Sequence, residues 1–199
     1  MKRIDILFAI LCGLMFGFLV SDFVAGFGIY LAWYGYLALW LVIPVISLMC
    51  LQAAYIIGKK FLFVYQVAKH LIVGAIVTII DLKIFEFLLW FLSFFIIANP
   101  LVMKGISFIF STFLKYLGNK NWAFEKNGKE NIRQELFYFF IITLVGLAID
   151  VAAFWYFVNI LGPQFAIPSV AWIKLGVIFA AIIAALWNFL GYKFLVFKK

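Results

Sequence analysis

Six long apolar runs set the limits on what this chain of 199 residues can fold into. They cover approximately residues 6–30, 37–57, 71–97, 101–117, 136–161 and 169–190. Crossing the hydrocarbon core of a bilayer takes about 20 apolar residues of α-helix, and most of the runs reach or pass that length. The runs are continuous and do not alternate, so they predict helices and exclude the strands of a membrane barrel. Ala98-Asn99-Pro100 separates the third run from the fourth, and Gly162-Pro163 with Pro168 separates the fifth from the sixth. Composition agrees: 68% of residues are hydrophobic and 12% charged, whereas a soluble domain has about 45–50% and about 25%. A water-soluble globule, a disordered chain, a disulfide scaffold and a nucleic-acid-binding domain are all excluded. The expected fold class is all-α, a polytopic integral membrane protein of about six transmembrane helices. The loops leave little room for an extramembrane catalytic domain.

The net charge of +8 sorts by side. Twelve of the sixteen Lys and Arg fall on one face of a six-span arrangement: Lys2, Arg3, Lys59, Lys60, Lys69, Lys120, Lys126, Lys129, Arg133, Lys193, Lys198 and Lys199. The positive-inside rule puts both termini in the cytoplasm, in a multi-pass protein of the inner (plasma) membrane. Trp33, Trp40 and Trp172 are expected near the outer boundary and Trp122 near the inner one, as an aromatic belt. Met1-Lys2-Arg3 and the run after it imitate a secretory signal. Ser21-Asp22-Phe23-Val24-Ala25 lacks the small residues of a cleavage site, so a retained first helix is expected. Cys12 and Cys50 lie in apolar runs and read as small hydrophobes, neither ligand nor disulfide. Gly13-Leu14-Met15-Phe16-Gly17 is a GxxxG, compatible with close helix packing or with a homo-oligomer.

The sequence also repeats. Gly118-Asn119-Lys120-Asn121-Trp122-Ala123-Phe124 after the fourth run answers Gly191-Tyr192-Lys193-Phe194-Leu195-Val196-Phe197 after the sixth, at an offset of 191 − 118 = 73. Ile80-Asp81 answers Ile149-Asp150 at 150 − 81 = 69. The expected units, about 67–124 and 135–197, are each a helix with a mid-run Asp, a turn, and a helix ending in Gly-x-Lys with aromatics. Two helices per unit make the repeat parallel, unlike the inverted repeats of many alternating-access carriers. Gly58-Lys59-Lys60-Phe61-Leu62-Phe63 is a fainter echo. It is either a degenerate copy or simply a glycine helix stop followed by cytoplasmic lysines.

At three places the chain resembles the GtrA-like family of small polytopic membrane proteins, which includes GtcA-type members. The first is Lys69-His70-Leu71-Ile72-Val73-Gly74 with Asp81 seven residues on. The second is Asn119-Lys120-Asn121-Trp122-Ala123-Phe124, and the third is Asn188-Phe189-Leu190-Gly191-Tyr192-Lys193 with Val196-Phe197. The resemblance covers about residues 66–199 as a four-helix domain. His70 stands where the family pattern has an aromatic, and residues 1–65 add a two-helix hairpin, expected to be auxiliary. The resemblance implies a partner, a polyprenyl-phosphate-linked monosaccharide translocated for cell-surface polysaccharide glycosylation. It equally accommodates a non-transporting anchor or adaptor for a polyprenyl-phosphate glycosyltransferase.

Charges inside the apolar runs are the informative residues, because each costs roughly 2.5–3.5 kcal/mol at the centre of a spanning helix. Asp81 and Asp150, the repeat-related acids, could accept hydrogen bonds from sugar hydroxyls or pair between helices. Lys104 and Lys174 could meet a phosphate or snorkel to the outer headgroups. Asn119, Lys120, Asn188 and Lys193 are expected together at the cytoplasmic ends of the fourth and sixth runs, receiving the lipid phosphate and its sugar or serving as caps and anchors. Lys115 adds to that basic cluster, and Lys83 and Glu86 are spaced to pair locally. His70 reads as a polar boundary residue. The sequence has no P-loop, dinucleotide motif, metal-ligand cluster or Ser/His/Asp set. No catalytic residue, metal or cofactor is expected, and the partners are lipid-linked sugar, membrane lipids and no nucleic acid.

Overall fold

The computed structural model describes residues 1–26, 31–93, 100–126, 132–165, 167 and 169–197. Among the described residues there are six α-helices and no strand: α1 (Arg3–Gly26), α2 (Trp33–Gly58), α3 (Leu62–Ser93), α4 (Pro100–Gly118), α5 (Ile132–Trp155) and α6 (Ser169–Gly191). Three helical stretches among them, Trp33–Gly58, Ile132–Leu161 and Phe179–Val196, are long and apolar enough to cross a membrane. Helix α3 is 32 residues long and carries Asp81, Lys83 and Glu86 within its apolar run. Packing divides the chain into two units, Met1–Ala123 and Phe124–Lys199.

In the first unit, the GxxxG acts within the chain. A Cβ on Gly13 would run into Pro44 Cα, and one on Gly17 would lie 3.5 Å from Leu39 O. Helix α1 therefore lies backbone-to-backbone on α2 at Pro44, which has no N–H and sits buried inside α2.

Helices α4 and α6 were expected to end in Gly-x-Lys with aromatics, and their α-helical parts end at Gly118 and Gly191. The chain continues past each as a π-helical turn, Asn119–Ala123 and Tyr192–Val196. Both glycines serve close approach. A Cβ on Gly118 would lie 2.9 Å from Val73 Cγ1, and one on Gly191 would lie 2.6 Å from Ile142 Cγ2. Gly58 behaves differently: α2 stops there, and a two-lysine turn leads into α3. The Gly162-Pro163 break is as expected, with Gly162 at φ 63°, where a side chain would be strained.

Helix pairs α3–α4 and α5–α6 are antiparallel hairpins whose registers follow from these contacts. Gly118 meets Val73, and Ser111 meets Asp81. Gly146 meets Asn188, and Gly176 meets Val158. The paired residues differ between the two hairpins by the same sequence offsets, 69 on the first helix (Val73 and Ile142) and 73 on the second (Gly118 and Gly191).

Candidate functional site

At the α1 end of the first unit lies a polar cluster centred on Asp5, which is 1% exposed. Its Oδ1 accepts from Trp122 Nε1 at 2.7 Å and lies 3.1 Å from Lys69 Nζ. Its Oδ2 accepts from the Tyr65 hydroxyl at 2.7 Å and from the Lys2 backbone N–H at 2.5 Å. Asp5 sits in the first turn of α1, where the helix dipole favours a carboxylate. It also precedes the apolar run beginning at Ile6. Burial alone would raise the Asp5 carboxyl, but the bonds from Tyr65, Lys2, Trp122 and Lys69 outweigh it and hold the pKa below the ordinary carboxylate value. Lys69 is 2% exposed, with its ammonium also 4.5 Å from the Tyr65 ring centroid. Phe8 stacks on Trp122 at 4.4 Å, so α1 holds the indole by its face as well as by its N–H.

Beside this cluster, His70 Nδ1 lies 2.7 Å from Asn119 Oδ1, and Asn119 Nδ2 donates to Lys115 O at 2.7 Å. The second bond fixes the amide orientation, so the imidazole donates from Nδ1. His70 immediately precedes the run beginning at Leu71, and burial pulls its pKa down to about 4, which keeps it neutral near pH 7. Lys120 is also buried and donates to the Tyr116 hydroxyl at 3.1 Å. Asn119 and Lys120 thus come together, but as members of a bonded network on the π-helical turn.

Farther along α3, Asp81 accepts from Ser111 Oγ at 3.2 Å. Lys83 and Glu86 form the expected local pair at 2.8 Å. The Lys104 backbone lies seven residues before Ser111 on α4, about 10 Å along the axis from the level of Asp81. The side chains of Lys104 and Lys174 lie outside the described residues.

In the second unit, Asn188 is not at a helix end. The π-helical turn carries the helix on past Gly191, and Asn188 stands level with Gly146, midway along Ile132–Leu161. It is 8% exposed, and its Oδ1 is buried with no hydrogen-bond partner among the described residues. Asp150 is half-buried, one turn beyond Gly146, and among the described residues nothing bonds to it. The register through Gly146–Asn188 and Gly176–Val158 sets Asp150 opposite Ala184. The Lys174 backbone is ten residues away along α6, about 15 Å. Lys193 lies beyond, on the second π-helical turn, over the Phe189 and Phe194 rings at 5.6 and 5.7 Å. Tyr192 stacks on Phe139 at 4.1 Å and shares a 2.6 Å hydrogen bond with Thr143.

Two of the tryptophans expected near the membrane boundaries are buried within the protein: Trp122 at Asp5, and Trp172 donating to Phe157 O at 2.9 Å. Sequence reasoning missed Asp5, Tyr65 and His70 as partners of the motif residues. The available signal was that an acid followed Lys2-Arg3 at the start of an otherwise apolar helix, where a lone carboxylate is costly.

Apolar helices long enough to span, glycine-mediated close packing and charged groups held inside the helix pairs define a multi-pass helical membrane protein. Residues 69–197 match the family model described as the GtrA/DPMS transmembrane domain, and the chain belongs to that family. The match agrees with the resemblance carried by the three motifs. No curated protein and no solved structure matches the chain. The family points to the handling of polyprenyl-phosphate-linked sugars in the membrane.

Proposed function

We propose that this protein translocates a polyprenyl-phosphate-linked monosaccharide across the cytoplasmic membrane, supplying glycosylation of cell-surface polysaccharide. In this reading it is a six-span carrier, not an enzyme, with both termini cytoplasmic and two parallel two-helix repeats. One observation carries the reading: Asp150, within an apolar helix, has no partner among the described residues. An intramembrane carboxylate without a partner costs several kcal/mol and is retained where a polar ligand meets it. The sugar and phosphate would travel along polar groups of the helix pairs while the isoprenoid tail stays in lipid. The chain carries no nucleotide-binding motif, so transport would run downhill, drawn by consumption of the lipid-linked sugar outside. With the interior negative, outward movement of one phosphate charge gains about 2.3 kcal/mol per 100 mV.

The test is reconstitution of the full chain in proteoliposomes with a fluorescent short-chain polyprenyl phosphate carrying glucose, arabinose or N-acetylglucosamine. Inward and outward probe populations are read by membrane-impermeant quenching. Faster exchange of at least one glycosylated probe than in protein-free vesicles supports the reading. Exchange at the protein-free rate for all three, with correctly inserted protein, would overturn it and favour the anchor for a glycosyltransferase.

A further inference from the structure

We propose that Asp150 and Asn188 together form the subsite for the hydroxyl groups of the sugar ring, and that Asp81 has no such role. The inference rests on the translocation reading and assigns its substrate contacts to one helix pair.

The two repeat-related acids are in different chemical situations. Asp81 has a hydroxyl donor within reach in Ser111, at 3.2 Å, whose one hydrogen is shared with Phe108 O at 3.0 Å. The residue 73 positions on from Ser111 is Ala184, which the α5–α6 register sets opposite Asp150 and which has nothing to donate. One turn along α6 from Ala184 stands Asn188, more than nine-tenths buried, with its Oδ1 unsatisfied. Across from it, Gly146 has no side chain, and the Asn188 amide occupies the space a Cβ would fill.

Helical side chains tilt toward the N-terminus of their own helix. In an antiparallel pair, this tilt carries Asp150 back toward the level of Gly146, where the Asn188 amide lies. The two side chains stand one helical turn apart across the pair, facing two of the smallest residues available, Ala184 and Gly146. The carboxylate and the amide oxygen are both acceptors. Inside an apolar helix pair, a carboxylate and an amide oxygen that no group among the described residues donates to are an incomplete hydrogen-bond set. A ligand presenting neighbouring hydroxyls completes it; a bare phosphate, which brings only acceptors and negative charge, does not. The chemistry therefore selects the glycosylated lipid over the unglycosylated one.

The experiment compares two fluorescent probes with the same short polyprenyl phosphate tail, one bare and one carrying the sugar that the wild type moves fastest. Asn188→Leu, Asp150→Leu, Gly146→Ala and Asp81→Asn are reconstituted beside the wild type. Each is also heated in detergent with and without each probe. A Cβ at 146 would lie 2.9 Å from Asn188 Cγ, so Gly146→Ala displaces the amide without altering its chemistry. The expected result is that the first three variants lose the preference for the glycosylated probe by about tenfold, through slower exchange of that probe. Asn188→Leu should not lower the unliganded melting temperature by the cost of a lost oxygen bond, because the Oδ1 it removes is unsatisfied. Asp81→Asn should keep the preference. The glycosylated probe should raise the melting temperature of the wild type and not that of Asn188→Leu.

An unchanged preference in Asn188→Leu, or equal losses for both probes, would overturn the subsite. So would a large fall in the unliganded melting temperature with the preference intact, which marks an internal hydrogen bond. Failure of the wild type to move any probe sinks the translocation reading. The melting shift, which requires no transport, then still decides whether the subsite binds the sugar.

Discussion

Replacing Asp5 with Ala removes the carboxylate from a site where four groups converge on it: Trp122 Nε1, the Tyr65 hydroxyl, Lys69 Nζ and the Lys2 backbone N–H. The main loss comes from Lys69, whose ammonium is 2% exposed and would be left buried without its counter-charge. Breaking one side of a buried pair costs about 3–5 kcal/mol. The Trp122 indole, 4% exposed, would also lose its acceptor, at about 1–3 kcal/mol. The cluster lies at the start of α1, where relaxation toward water recovers part of this, so a net loss of about 3–5 kcal/mol is expected. Asp5→Asn keeps an acceptor for the indole and should lose less. Lys69→Met removes the cation and leaves Asp5 with its three other donors, which should also be milder. The double variant Asp5→Ala/Lys69→Met should recover at least about 2 kcal/mol relative to the sum of the single variants. The measurement is reversible unfolding of the full chain in mixed detergent micelles, followed by far-UV circular dichroism. A single-variant loss below about 0.5 kcal/mol, or strict additivity in the cycle, would refute the role assigned to this pair. The same reasoning says that removing residues 1–65 strips Lys69 and Trp122 of Asp5, so the truncated chain should unfold more readily unless Lys69 is replaced too.

The histidine gives a pH dependence of definite sign. With the His70 pKa lowered to about 4 by burial, the unfolded chain takes up a proton near pH 6.5 that the folded chain refuses. Stability should fall as pH drops from about 6.5 to about 4, by on the order of 3 kcal/mol, and His70→Phe should abolish that slope in the same unfolding assay. Asp5, with its lowered pKa, contributes stability at neutral pH that is lost as pH falls through its folded-state value, so His70→Phe should still show acid unfolding below about pH 4. Gly191→Ala would set a Cβ 2.6 Å from Ile142 Cγ2 and should destabilise by about 1–3 kcal/mol, with Ile142→Ala restoring part of it; an unchanged melting temperature would contradict the close approach. Gly13→Ala meets the Pro44 backbone, which cannot swing aside as a side chain can, and should lower the melting temperature more than Gly17→Ala.

The helices and their breaks were legible because continuous hydrophobicity and the Pro and Gly punctuation are local signals. The glycine roles were not. A glycine followed by lysine reads as a helix stop, and only the position of Val73 or Ile142 shows that it admits a neighbour while a π-helical turn carries the chain on. Asp5 was illegible for a different reason. Beside Lys2 and Arg3 it looks like one more interfacial charge, and its partner Trp122 is 117 residues away. Asn188 was assigned to the cytoplasmic end because the motif around it appeared terminal, whereas the added π-helical turn leaves it level with the middle of α5. One distinction was within reach of the sequence: the offset of 73 already pairs Ser111 with Ala184, and so separates an acid with a donor from one without.

That separation bears on how the two units differ. In an apolar surround each unsatisfied polar group carries a cost of several kcal/mol, so a chain optimised only for stability would have bonded both acids or replaced the unbonded one. The first unit follows the stability rule. Asp5, His70, Asn119 and Asp81 are all bonded there, to partners on other helices. The second unit departs from it at Asp150 and Asn188, the acceptors opposite Ala184 and Gly146. A serine at 184 would be a one-atom change that supplies the missing hydroxyl, as Ser111 does for Asp81. Ala184→Ser is therefore expected to stabilise the protein and to impair movement of the glycosylated lipid. A variant that gained stability while moving that lipid as well as the wild type would show that the open acid serves no ligand.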